Sequence, residues 1–360
     1  MDPVKLYVGE HYREPTLYTY TELMFPFWGV TAKESMPYVR EANIRYQYSK
    51  EDFILVDAIQ DCDYVHIPYN YQRLQSANPE RLASIVSEAQ HANKPLLIDG
   101  SGDLELAITI PNSVILRVSQ YRYSKRDNEI TIPFPTEDLL DSYFDGKLKV
   151  QEKKEVPSVG FTGWADIPIT RRIKIWLKEL PLTLVTISNP KRGAEHKGIF
   201  FRERTLRTLS KTKGIMTNFT TRSTYSGHIK TITGSVEDNR KEFVETLRNS
   251  DYALCVKGDA NSSVRFYEAL SMGCIPLFLD TACVLPLEDR INYKEFCVFV
   301  DWKDVGRVGE KLREFHSSCT SEQFTQMRKL ARETYRNHLR IDAFSKDLAQ
   351  QLRARVTSKC

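Results

Sequence analysis

Arg265 and Glu268 stand three residues apart, just after the turn-forming run Lys257-Gly-Asp-Ala260 and the serines Ser262 and Ser263. Residues at that spacing share one face of a helix. Read as the first turn of a helix capped by Ser262, the segment offers free backbone N–H groups and a guanidinium to a phosphate or diphosphate. Glu268, one turn deeper, is placed for the hydroxyls of a ribose. A nucleotide-sugar carries both groups, so Ser262, Ser263, Arg265 and Glu268 are the candidate donor-binding residues. The same spacing also suits an Arg–Glu pair on a solvated face. A second basic segment holds Arg202, Arg204 and Arg207, which can clamp a diphosphate leaving group and stabilise its developing charge. Its alternative is a solvated helix face shared with Glu203.

Other chemistries find less support. Asp61-Cys-Asp63 has the Asp-x-Asp form of a divalent-cation ligand pair, but it precedes a strand far in sequence from the donor motif. Histidines at ligand spacing and Cys-x-x-Cys are both missing from the sequence, so no metal is expected. The net charge of +4 over 360 residues argues for local basic pockets rather than a nucleic-acid surface. Thr205–Lys213 is too short a basic stretch to alter that. Seven scattered cysteines show no paired framework and read as buried free thiols of a reducing compartment.

These groups must be positioned by an α/β scaffold. Lys5–Val8, Phe53–Val56, Tyr64–Ile67, Pro95–Ile98 and Val114–Val118 are short apolar runs bounded by turn residues, as buried strands are. Glu80–His91 carries helical spacing behind the start signal Asn78-Pro79. The charged run Lys147–Glu155 marks a linker. After it, strands are expected at Ser158–Phe161, Leu182–Ile187, His228–Ile232, Tyr252–Val256, Ile275–Leu279 and Cys297–Val300, and helices near Thr170–Glu179, Phe201–Ser210 and Asn239–Asn249. Pro276 falls inside the strand expected at Ile275–Leu279, so that strand is expected to begin after it or to lie at a sheet edge. From Trp302 the chain reads as helical. The alternation predicts two parallel-sheet, Rossmann-like domains, at 1–150 and 157–340, with a C-terminal helix at 341–360 returning to the first. Ligands of such sheets bind beyond the carboxyl ends of the strands, where Lys257–Ser263 belongs.

The run from Ser262 to Glu268 with Ala269, then Gly-Cys-Ile-Pro at 273–276, Leu-Pro-Leu-Glu-Asp at 285–289 and Phe-Cys-Val-Phe-Val at 296–300 resembles the exostosin family of glycosyltransferases, family 47. Ser158–Gly163, Phe200–Arg207 and Asp61–Tyr69 extend the likeness more thinly. The resemblance implies the GT-B arrangement of two facing domains. It also implies an inverting, metal-independent hexosyl- or pentosyltransferase that moves a sugar from a nucleotide-diphosphate sugar to a glycan hydroxyl, with no cofactor beyond that co-substrate. Inversion requires a base in the first domain facing the cleft. Asp103, in the turn Asp99-Gly-Ser-Gly-Asp103, and His66 are the candidates, and Glu10 and His11 occupy a comparable position.

A catalytically silent sugar-nucleotide-binding subunit and a nucleotide-sugar epimerase share the architecture and stay open. The chain has no membrane-spanning run and no apolar leader, so the expectation is a cytoplasmic, bacterial or viral member rather than a Golgi lumenal fragment. The oligomeric state, the sugar and the acceptor are not written in the sequence.

Overall fold

The computed structural model describes residues 2–9, 19–31, 36–103, 105–149, 152–225 and 228–357. Glu10, His11 and Cys360 lie outside them. Two parallel sheets organise the chain. The first contains β1 Val4–Tyr7, β2 Phe53–Leu55, β3 Tyr64–Asn70, β4 Leu96–Asp99, β5 Ser113–Arg117 and β6 Glu129–Thr131, in the order β2-β1-β3-β4-β5-β6. Its helices are α1 Phe25–Trp28, α2 Pro37–Arg45, α3 Tyr71–Ala77 and α4 Pro79–His91, and α5 Leu139–Phe144 follows the last strand. Parallel strands need crossovers, so strands covered on both faces read as continuous apolar runs. Val65, Ile67, Leu97, Ile98 and Ile115 are accordingly fully buried.

The second sheet has the order β11-β10-β9-β7-β8, from β7 Ser158–Trp164, β8 Met216–Arg222, β9 Tyr252–Cys255, β10 Ile275–Asp280 and β11 Val298–Asp301. Between its strands run α6 Ile169–Ser188, α7 Gly198–Lys211, α8 Val236–Arg248 and α9 Val264–Ser271. After a 3-10 turn at Trp302–Arg307 come α10 Val308–Ser318, α11 Ser321–Thr334 and α12 Ile341–Thr357. The last helix returns to the first sheet. Ile341, Phe344, Leu348 and Leu352, at helical spacing, pack with Val4, Leu6, Phe53 and Leu97. Each such buried side chain stabilises the docking by about 1.5–3 kcal/mol. The Tyr64 hydroxyl adds a bond to the Leu352 carbonyl at 2.9 Å. Two parallel-sheet domains with a helical C-terminal segment match the GT-B arrangement.

Three expectations need correction. Leu182–Ile187, expected as a strand, is the last part of α6. That helix leaves Ile169, Ile173, Trp176, Leu177, Leu184 and Ile187 more than half exposed. His228–Ile232 is a turn region, and the strand beside β7 is β8. Pro276 sits inside β10, which lies between β9 and β11. It is tolerated because pairing with β11 begins only at Leu277, so the missing N–H precedes that ladder.

Candidate functional site

Lys257–Ser263 follows β9 and turns at the carboxyl end of its sheet. The Gly258 N–H donates to the Ser262 carbonyl at 3.1 Å, and the Gly198 N–H donates to the Gly258 carbonyl at 3.2 Å. This seats the start of α7 against the loop. A Cβ at Gly198 would lie 2.1 Å from the Lys257 carbonyl oxygen, so that approach requires glycine. The cap of α9 is Ser263 rather than Ser262, and its side chain makes no capping bond. The Phe266 N–H donates to the Ser263 carbonyl at 3.0 Å, and the Val264 and Arg265 N–H groups keep their capacity for an anion.

Arg265 and Glu268 do not pair with each other. Arg265 donates through Nη2 to the Thr162 carbonyl of β7 at 2.6 Å and lies 4.4 Å from the centre of the Phe161 ring. Gly163, at φ +150°, leaves room for it, since a Cβ there would meet Nη2 at 2.9 Å. Arg202, from α7, donates to the carbonyls of Trp164 at 2.6 Å and Lys257 at 3.2 Å, and approaches the same ring at 5.9 Å. Among the described residues neither arginine has a carboxylate partner, and the Nε of each is buried without a hydrogen bond. Burial pulls both pKa values down, and the charge of Arg265 lowers Arg202 further. Asp259 acts on Arg202 and Glu268 on Arg265 from beyond ion-pair distance, so the two guanidiniums keep donor groups that can serve a multivalent anion.

Glu268 is held differently. Arg240 of α8 donates through Nη1 to its Oε1 at 2.6 Å and through Nη2 to Glu137 Oε2 at 2.8 Å. The guanidinium also stacks 4.3 Å from the Tyr38 ring. Glu268 Oε2 has no partner among the described residues. Arg204 and Arg207 are exposed, and Arg207 donates to Glu203 one turn back at 2.6 Å. Of that trio, only Arg202 joins Arg265.

Tyr225, half exposed after β8, ties the two domains together electrostatically. Burial raises its phenol first, then the charge of Glu268, and Asp103 of the first domain raises it too, while Arg202 and Arg265 lower it. Asp103 lies on an exposed loop. His66 does not. It is fully buried in β3, with Nε2 3.0 Å from Thr21 Oγ1 and Nδ1 3.0 Å from the Leu97 carbonyl. Desolvation pushes it down to about 4. Both nitrogens are engaged and no acceptor hydroxyl can reach them, so the base assignment is corrected to a satisfied core histidine.

Three groups escaped the sequence reading. Lys257 donates to the Tyr121 hydroxyl at 2.8 Å and the Ala194 carbonyl at 2.7 Å, and burial lowers it to about 8. Asp99 ends β4, accepts from the Ser101 N–H at 2.8 Å, and is raised by burial. Glu22 lies beside it, raised to about 7, first by burial and then by the Asp99 charge. Its own backbone N–H and the Arg73 charge act against that rise, and no side chain among the described residues donates to it. The signal available in sequence was Asp99 at a strand end. Glu22 carried none, because its approach depends on the Thr21 N–H bond to the Pro68 carbonyl. Asp63 accepts from the Lys5 N–H at 2.8 Å, and the described residues hold no His/Cys/Asp/Glu cluster arranged for a metal.

Residues 186–315, less than half of the chain, match the exostosin GT47 domain. Over that segment the chain is similar to the exostosin family. It is similar to Exostosin-1 of Drosophila melanogaster, 41% identical over 81 residues, which are 21% of this chain and 11% of that protein. The Exostosin-1 homolog of Caenorhabditis elegans is 28% identical over 124 residues, 34% of this chain and 31% of that one. A probable glucuronosyltransferase of Oryza sativa subsp. japonica is 41% identical over 66 residues, 18% of this chain and 15% of the plant protein. The aligned stretches thus span under a third of each relative, and the animal and plant sources lend no support to a bacterial or viral origin. The chain aligns over 81% of its length with 57% of a chain in a GtfA/B complex bound to UDP and GlcNAc, at TM-score 0.28 and 10% identity. No helix among the described residues is long and apolar enough to cross a membrane.

Proposed function

We propose that this chain is an inverting glycosyltransferase that moves a sugar from a nucleotide-diphosphate sugar to a hydroxyl of a glycan acceptor, without a metal. The observation that carries the reading is the pair Arg202 and Arg265: half-buried, each with a buried Nε that has no hydrogen-bond partner, without an ion-pair partner among the described residues, and fixed on Phe161 beside the start of α9. The donor diphosphate lies against that pair. Their charge takes the place a divalent cation would fill at the leaving group. Glu268 Oε2 receives a ribose hydroxyl, with Oε1 held still by Arg240.

Glu22, backed by Asp99, is the base of this reading. A carboxyl raised to about 7 is matched to taking a hydroxyl proton near neutral pH. The acceptor O–H gives its proton to Glu22 as its oxygen attacks the anomeric carbon from the face opposite the diphosphate. The anomeric C–O bond breaks and its electron pair passes to the phosphate oxygen facing Arg202 and Arg265. Asp103 and Tyr225 line the acceptor side.

The test measures nucleoside diphosphate release from candidate sugar donors, with and without glycan acceptors, in chelator, and reads the anomeric configuration of the product. Acceptor-dependent release with inversion is expected, with Glu22→Gln slowing it by about 10²–10⁴-fold. A manganese requirement, or donor conversion without acceptor as in an epimerase, would overturn the reading.

A further inference from the structure

Away from the donor site, a small cavity of about 30 Å³, open to solvent, lies where the linker after α5 meets the helices of the second domain. Leu140, Phe144 and Met272 line it together with four cations, Lys147, Lys149, Arg248 and Arg328, and no carboxylate. Arg328, on α11, is 3% exposed, and its Nε and Nη1 are buried without hydrogen-bond partners. An isolated buried cation costs several kcal/mol unless something compensates it.

The surrounding acids do not supply that charge. Lys147 reaches Asp145 only at 3.9 Å, with both side chains over 80% exposed. Arg248 stacks 4.2 Å from the Phe144 ring centre and meets Glu245 at 3.6 Å on the outer face. Asp251 makes no ion pair with Arg328, and it binds the Ser158 N–H and hydroxyl through Oδ2.

We propose that this cavity is a second anion site, taking a phosphate group and clamping the linker lysines to α8 and α11. The group is supplied either by free phosphate or by a sugar phosphate. Lys147 and Lys149 approach it from the linker, and Arg248 and Arg328 from the second domain. An occupant therefore bridges the segment after α5 and the helices of the second domain, at a site separate from Arg202 and Arg265.

Thermal unfolding of the full chain, titrated with inorganic phosphate and in parallel with a hexose 1-phosphate, tests this. Saturating ligand should raise Tm by a few degrees. The response should persist in Arg265→Met, where nucleotide binding is lost, and disappear in Arg328→Met. Should Arg328→Met fail to fold, Lys147→Ala with Lys149→Ala, both on exposed side chains, should weaken the response severalfold. Greater potency of the hexose 1-phosphate assigns the site to a phosphate ester; equal potency assigns it to the ion. A response lost in Arg265→Met alone places the anion in the donor site and overturns the proposal. So does no response in the wild type, or an undiminished one in both the Arg328 and the lysine variants.

Discussion

Arg117, the buried last residue of β5, and Arg265, half-buried on α9 against the end of β7, are both arginines packed beside a parallel sheet, and their partners differ. Every donor group of Arg117 is matched: Nε to Glu129 at 2.8 Å, Nη1 to the Gly100 carbonyl at 2.9 Å and Nη2 to the Leu106 carbonyl at 2.6 Å. Glu129 is completed by Gln120 and the Arg126 N–H. Arg265 has one carbonyl, an aromatic face, an orphaned Nε, Arg202 as a like charge and Glu268 as an unbonded carboxylate in range. A satisfied network holds the fold in one arrangement. A cation left incomplete stores capacity for a ligand, at a cost the rest of the domain must offset. The partner inventory separates the two cases.

The contrast breaks first at Glu129. Glu129→Leu leaves Arg117 with carbonyls but no counter-charge, and urea denaturation should show a loss of about 3–5 kcal/mol. A loss under about 1 kcal/mol would mean that the network is not structural. Nucleotide affinity of the folded fraction should not move.

Arg265→Met should do the reverse. Replacing a cation that has no ion-pair partner by an unbranched apolar chain should leave stability equal or higher, while nucleoside diphosphate affinity measured by calorimetry falls about 100-fold, or ~2.7 kcal/mol. Strong destabilisation with unchanged affinity would place Arg265 with Arg117, and the donor site would have to be sought elsewhere.

The first domain contains the same contrast between carboxyl and imidazole. His66 is satisfied on both sides; Glu22 has no side-chain donor among the described residues. The ionised form of Glu22 is the base, so turnover should fall about tenfold per pH unit below roughly 7. Stability should run the other way. A carboxyl raised in the folded state contributes stability that is full below its ordinary value of 4.5 and is lost as pH rises through about 7. Glu22→Gln should flatten both profiles. A turnover profile unchanged in that variant would return the base role to Asp103.

Much of the scaffold was legible because covered parallel strands announce themselves as apolar runs. β9 and the Lys257–Ser263 loop lie where the sequence put them. β8 was missed because Met-Thr-Asn-Phe-Thr-Thr-Arg lies at a sheet edge, largely unburied, with little apolar run to read. Leu182–Ile187 misled for the opposite reason: its β-branched, apolar composition suits a strand, yet it continues a helix through Pro181. The donor motif was legible as residue types at a spacing. Its wiring was not, since Glu268 is held by Arg240, 28 positions back, and by Glu137 through it. Such partners are set by which helices the fold lays side by side.

Arg207 supplies the smallest effect and the control. It is exposed and paired with Glu203 one turn back, in the position once shared in expectation with Arg202. Arg207→Ala should cost about 0.3–0.5 kcal/mol in stability and leave nucleotide affinity unchanged. Arg202→Met, five residues earlier on the same helix, should behave as Arg265→Met does. A binding loss of equal size from Arg207→Ala would show that the whole basic face of α7 attracts the donor through general charge. The two incomplete guanidiniums would then be incidental to recognition.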